Sequence, residues 1–486
     1  MEISFRDPGG RTCLVDNRVL RVVNKKGLCD LEAFLHSSSS ARFVESDQLV
    51  NTSFLSAAAT EEVLKREQVR SIYADLEGGS IVEHERIPFP SFPYEWPPEM
   101  LCAAATLTLD FAETLTDEGL GLKDASPYNV LFRGSKPIFV DLLSFERRDP
   151  NDPTWLPLAQ FVRTFLLPLL ANKQFGISLA QLLTSHRDGL EPEEVFRLLS
   201  PIQKLRSPFL PLVSMPVWLM PRRTTDLRKI YRRRALRDTA KARFVFRRIL
   251  KNARRNLAIV APSAGRRSRW SNYTKENNYS PEYCARKQEF IRDVMVDHSP
   301  QNVLDVGCNT GQFSIIASRC GARVVAIDCD SVVVGEVWRR ANAEDLDILP
   351  LVVNLARPSP SIGWRNRECP SFLDRARGHF DAVLMLGVLH HLIVSEQIPL
   401  PEIVELAAEL TTNLLVIEFV APDDPMFRCI ARGRDHLFKS LTKDFFEETF
   451  SKRFEPVRCE RLDQTSRWLY LMRRKDALIE CLEMPQ

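Results

Sequence analysis

The sequence predicts an α/β chain whose C-terminal part is a doubly wound, mostly parallel sheet, with an α+β domain before it. Three observations carry this reading. Asn302–Val306 is an apolar strand that runs into a glycine-bearing turn and then a helix with small or polar first positions. A second strand, Arg323–Ile327, follows that helix and ends on Asp328. Further strand-like runs appear at Phe380–Leu386, Asn413–Phe419, Phe454–Cys459 and Arg467–Met472.

At 486 residues the chain has room for two or three domains of roughly 100–200 residues each. Its 44% hydrophobic and 27% charged residues exclude wholesale disorder. The expected division is an N-terminal domain over 1–215, a basic helical linker over 216–269 and a third segment over 270–486. Eleven Cys include no C-x-x-C pair, which argues against a zinc ribbon or thioredoxin motif, and no metal site is expected. The odd count suits the reduced thiols of a cytosol. No basic stretch followed by an apolar run opens the chain, and no run of about 20 apolar residues could span a bilayer. A soluble, cytoplasmic protein is expected.

The net charge of +3 hides an uneven distribution. Between Arg222 and Arg269 lie eighteen Lys or Arg against only Asp226 and Asp238. Ile230, Leu236, Phe244, Ile249 and Leu250 recur there at loosely helical spacing, which predicts one or two basic amphipathic helices. Such a helix can be solvated and packed on acidic neighbours. It can also offer 222–269 to an anionic membrane surface or an anionic substrate. Nucleic acid is not expected.

In the C-terminal part, Gly307 permits a tight turn and Gly311 lets a ligand approach the backbone. The free N–H groups at the following helix start favour a polar or anionic ligand group. Asp328 lies 21 residues beyond Gly307, close to the ~20-residue offset at which an acid meets ribose hydroxyls. A dinucleotide fingerprint would need glycine at 309 and glycine or alanine at 312, where this chain has Asn309 and Gln312. A Gly-Lys-Ser/Thr phosphate loop is absent.

With Asp305 two residues before the first glycine, Val325–Asp328 next, and Phe380–Leu392 and Asn413–Phe419 after it, the stretch resembles the class I S-adenosylmethionine-dependent methyltransferases. The resemblance covers roughly 270–475. It implies a Rossmann-like sheet of seven strands, the last antiparallel, and S-adenosyl-L-methionine as cofactor. It implies that Asp305, Gly307, Asn309 and Gly311 line the methionine end and that Asp328 takes the ribose hydroxyls. Cys329 and Asp330 would then sit beside the adenosine. Asn354 stands where the family often has an acid for the adenine amine, and an amide oxygen can still accept that hydrogen bond. Asp328 could instead cap a helix starting near Val332.

For proton removal from an acceptor, the candidates are His390, His391 and Glu418, all expected at the carboxyl ends of strands. A His of ordinary pKa, about 6.5, suits that task. The competing roles are a helix cap or backbone contact for the histidines and an ion pair with Arg428 for Glu418. Two segments are expected to close the pocket, Trp270–Tyr279 and the Trp-containing loop Pro358–Glu368.

The N-terminal half shows strand-like runs at Arg18–Val23 and Ser80–Arg86 and a helix over Pro98–Leu115. Asp124, Asn129 and Asp141, the last ending the strand Pro137–Val140, resemble the catalytic loop and metal-binding strand of protein kinase-like and aminoglycoside phosphotransferase-like folds. Leu122 replaces the usual His, and no glycine-rich loop lies upstream. A phosphotransferase, a degenerate kinase-like scaffold and a chance spacing all stay open. Over most of its length the chain also resembles the host-specific nodulation proteins of rhizobia and their bacterial relatives. That likeness implies a methyltransferase with a role in nodulation and an unknown methyl acceptor. The competing classes are the phosphotransferase and a non-catalytic protein that senses S-adenosylmethionine or docks on membranes.

Overall fold

Asp16 and Asn17 both adopt positive φ, 49° and 66°, the pairing that a two-residue hairpin requires. They join β2 (Gly10–Val15) to β3 (Arg18–Val23), and β1 (Glu2–Ser4) adds at the outer edge. With β4 (Thr52–Phe54) and β5 (Ser80–His84) these form an antiparallel sheet of order β1-β2-β3-β5-β4. Its inner face buries Cys13, Leu20, Val22 and Ile81 against Val63, Val69 and Ile72. The computed structural model describes residues 2–219, 235–268, 270–271, 281–462 and 465–475.

The expected helix forms at Pro98–Thr114, with Pro98 in the first turn, where its missing N–H costs nothing. Two small antiparallel pairs follow it: β6 (Leu120–Leu122) with β9 (Phe145–Arg147), and β7 (Val130–Arg133) with β8 (Lys136–Phe139).

Part of the basic segment, 220–234, lies outside the described residues, Ile230 among them. The rest forms one helix, Thr239–Val260, capped by Asp238, whose carboxylate accepts from the Ala240 and Lys241 N–H groups. Ala242, Phe246, Leu250, Ala253, Leu257 and Val260 make its buried stripe. Phe244 is not part of that stripe: the helical phase turns it outward, and it is 70% exposed. Arg247 pairs with Asp117, and Arg254 with Asp110 and Glu113. Acidic neighbours therefore take up part of this positive charge. The helix belongs to a first unit made of Met1–Ala264 and Ser361–Cys369.

The second unit comprises Gly265–Pro360 and Pro370–Gln486. Its strands are β10 (Asn302–Val306), β11 (Arg323–Asp328), β12 (Ile348–Val352), β13 (Phe380–Met385), β14 (Thr411–Val420), β15 (Phe454–Arg461) and β16 (Arg467–Arg474). They lie in the order β12-β11-β10-β13-β14-β16-β15. All run parallel except β16, which is antiparallel to both neighbours. This is the expected Rossmann-like sheet with its last strand reversed. The strand order turns back at β10, so the carboxyl ends of β10, β11 and β13 border the crevice where such sheets bind ligands. Among the described residues, no helix is long and apolar enough to cross a membrane.

Candidate functional site

A cavity of about 390 Å³ opens at that crevice, within the size range of small-molecule sites. Its floor is the turn after β10. Gly307 and Cys308 donate their N–H groups to the Ile327 carbonyl at 2.8 and 3.0 Å, which ties the turn to β11. Gly307 has φ +70°, and a Cβ there would stand 2.5 Å from Val388 Cγ2. The position therefore requires glycine on conformational and steric grounds.

Asp328 ends β11 on the cavity wall. Its Oδ2 accepts from the Asn309 N–H at 3.0 Å and its Oδ1 from the Asp330 N–H at 2.9 Å. Burial pushes this carboxyl up from the ordinary range, against those two donors. Asp328 is not a helix cap: Asp330 performs that task, accepting from the Val332 N–H at 2.8 Å. Asn354, two residues past β12, also lines the cavity, and its Oδ1 accepts from the Ala356 N–H. Cys329 and Asn309 complete the expected residues on this wall.

Three residues expected on the wall are absent from it. Asp305 is buried in β10 beneath the turn and accepts from Ser314 Oγ at 2.5 Å. Burial raises its carboxyl to about 6. Gly311, with φ +80°, opens the helix Gln312–Arg319 and packs its α-carbon side toward Val337. Asp330 is used by its own helix. All three shape the wall from behind.

The opposite side of the cavity changes the reading of the acid–base candidates. His391 lines the cavity, with its ring edge-on to Trp270 at 5.6 Å between centroids. His390 does not: it is 1% exposed, and neither ring nitrogen has a hydrogen-bond partner. Burial, with His391 adjacent, lowers it to about 3, so it stays neutral at physiological pH. Both residues sit on the short helix Leu389–Val394, where successive side chains point about 100° apart.

Glu418 lines the cavity but is fully buried and anchored. It accepts from Lys287 Nζ at 2.8 Å, Tyr283 Oη at 2.7 Å and Arg467 Nη1 at 3.3 Å. Arg467 also forks onto Asp424 at 2.8 and 2.9 Å. Burial alone would raise the Glu418 carboxyl, but Lys287 and Arg467 hold it down to about 2. A carboxylate so stabilised is a poor proton acceptor, which corrects its expected catalytic role. Its cation partners are Lys287 and Arg467 rather than Arg428. Sequence reasoning missed Tyr283, Lys287 and Arg467. The available signals were a Tyr and a Lys four residues apart on the helix Pro281–His298, and one Arg opening an apolar strand.

Of the segments expected to close the pocket, only Trp270 and Ser271 of the first are described; 272–280 lie outside the described residues. The second does not line the cavity. Ser361–Cys369 belongs to the N-terminal unit, where Glu368 is buried and accepts from Arg6 Nε at 2.5 Å, from Arg187 and from the Trp364 N–H at 3.0 Å. A buried carboxylate with two guanidinium partners supplies the physical reason for that assignment.

The other expected constellation is committed internally. Arg21 Nη1 pairs with Asp141 Oδ1 at 2.5 Å, and Ser144 Oγ donates to Asp141 Oδ2 at 2.8 Å. The Asn129 amide donates to Ser144 Oγ at 2.9 Å, and Gln160 donates to Asp124. Both Asp141 oxygens are engaged, one by an arginine and one by Ser144, and Asp124 is engaged by Gln160. This geometry does not support the phosphotransferase reading.

Comparison with known proteins bears on the second unit. Residues 275–456 match a family model described as a methyltransferase domain. Within the C-terminal unit, these residues are therefore similar to methyltransferase domains. The nodulation protein NoeA of Rhizobium meliloti (strain 1021) is 29% identical over 479 residues, covering 97% of this chain and 96% of its own. Among solved structures, magnesium protoporphyrin IX methyltransferase (ChlM) from Synechocystis PCC 6803 aligns at 18% identity over 43% of this chain and 93% of its own, with a TM-score of 0.32. N-methyltransferase NodS from Bradyrhizobium japonicum WM9 aligns at 14% identity over 40% and 99%, with a TM-score of 0.31.

Proposed function

We propose that the chain is an S-adenosylmethionine-dependent methyltransferase that deprotonates its acceptor through His391. The observation that carries the reading is Asp328 on the cavity wall, held by two backbone N–H groups beside a turn that admits only glycine. The residues fit the cofactor. Gly307 leaves the floor clear, Asp328 keeps lone pairs for two ribose hydroxyls, and Asn354 Oδ1 has a second lone pair for an adenine amine.

When bound, the cofactor supplies an electrophilic sulfonium methyl. The chain's own part is to orient, to exclude water and to move a proton. His391 is the cavity-facing imidazole and takes the proton from the acceptor's attacking atom. With Asp424, which balances the second cation, the Tyr283–Lys287–Glu418–Arg467 cluster is a fixed, internally neutralised wall that holds the carboxyl end of β14 in place. Through its likeness to NoeA, the reading extends to a role in nodulation, with the acceptor unidentified.

Calorimetric titration of S-adenosylmethionine into the full chain tests it, with Asp328→Ala as the control. Saturable binding lost in the variant supports the assignment. A folded full chain that does not bind overturns it.

A further inference from the structure

A second, larger cleft of about 700 Å³ lies in the same unit. Six arginines line it: Arg266, Arg267, Arg292, Arg319, Arg339 and Arg340, against a single acid, Glu336. They come from four places in the chain: the segment before the unit's first helix, the helix Pro281–His298, the helix Gln312–Arg319 and the helix Ser331–Glu344. The fold thus gathers charge that the sequence scatters. Arg319 is matched by Glu344 at 2.6 Å and Arg339 by Glu336 at 2.8 Å, while Arg340 donates to the Thr310 carbonyl at 3.2 Å. Arg267 and Arg292 are exposed and make no ion pair among the described residues.

We propose that this cleft binds a small molecule carrying two or more phosphate groups. Guanidinium forks match phosphate oxygens in pairs, and all six cations are arginine rather than lysine. The cleft's volume suits a small ligand, whereas a nucleic-acid polymer needs a charged stripe running along a surface. Ile315, Ile316, Val332 and Val333 give it an apolar wall for the rest of such a molecule. Thr310 and Gln312 line both this cleft and the cavity at the strand ends. The two sites therefore abut across the turn that contains Gly311, and a ligand held here touches residues on both flanks of that turn.

The test is calorimetry on the full chain with inorganic pyrophosphate, and with the double variant Arg267→Ala/Arg292→Ala. Neither side chain is buried or paired, so the variant should keep the parent's thermal midpoint. Saturable binding that weakens by about tenfold or more in the variant is the expected result, as for the loss of charged hydrogen bonds. Adenosine diphosphate and fructose 1,6-bisphosphate then distinguish a nucleotide from a sugar phosphate, and tighter binding of either one supports the site. Failure of pyrophosphate to saturate, equal affinity in the folded variant, or binding of polynucleotide alone would overturn the proposal.

Discussion

The Lys287 ammonium donates to Glu418 Oε2 at 2.8 Å, at a point where the Glu418 side chain has no exposed surface. Removing Lys287 takes from the buried carboxylate its closer cation and leaves Oε2 without its donor, with only Arg467 at 3.3 Å and the Tyr283 hydroxyl on Oε1. Lys287→Met should therefore cost about 3–5 kcal/mol, read as a drop in denaturation midpoint. A midpoint within error of the parent's would mean that the pair is not buried in solution.

The same carboxylate sets a pH dependence. Its folded-state pKa, about 2, lies below its ordinary 4.5, so its contribution to stability is complete above 4.5 and is lost as pH falls toward 2. Glu418→Gln lacks this contribution. Thermal midpoints of parent and variant should thus converge as the pH is lowered through that window. Parallel curves would contradict it.

The two adjacent histidines should separate cleanly. His390→Leu replaces a buried, unpartnered ring by an apolar side chain and should change stability by no more than about 1 kcal/mol, or increase it. His391→Gln should keep cofactor affinity while slowing methyl transfer by about a hundredfold or more, with loss of the pH dependence of kcat. If His390→Leu slows transfer as severely, the assignment of roles is reversed.

Gly307→Ala forces a side chain into φ +70° and against Val388. The strain is about 1–3 kcal/mol, and calorimetry should show cofactor binding weakened at least in proportion.

In the first unit, Arg21 occupies Asp141. Titration with Mg²⁺ and ATP should give no heat of binding, and saturable Mg²⁺-dependent binding would show that the pair opens. Asp141→Ala should destabilise the chain by about 1–3 kcal/mol, because the Arg21 guanidinium keeps its hydrogen bond to Thr12 but loses its carboxylate, while S-adenosylmethionine affinity stays unchanged.

The parts of the site that were legible in the sequence are local. Gly307, Asn309 and Asp328 sit at a turn and a strand end whose positions follow from hydrophobic runs and glycine spacing, and all three meet on one wall. What stayed hidden is long-range or a matter of phase. Lys287 and Tyr283 reach Glu418 across 131 and 135 residues, and no spacing rule connects them. Which of His390 and His391 faces the cavity depends on the rotation of a six-residue helix. Asp124, Asn129 and Asp141 had suggestive spacing, yet Asp141 is taken by Arg21, 120 residues upstream, and Asp124 by Gln160, 36 residues downstream.

The assignment of Ser361–Cys369 to the N-terminal unit bears on how the chain is made. Glu368 is synthesised 181 residues after Arg187 and 362 after Arg6, yet all three belong to one ion cluster. During translation the first unit waits with Arg6 and Arg187 unmatched until three of the second unit's seven strands, β10 to β12, have been synthesised. A gene cut at the boundary near residue 265 would strand nine residues of one unit inside the other's reading frame. The two units are thus interleaved in their order of synthesis.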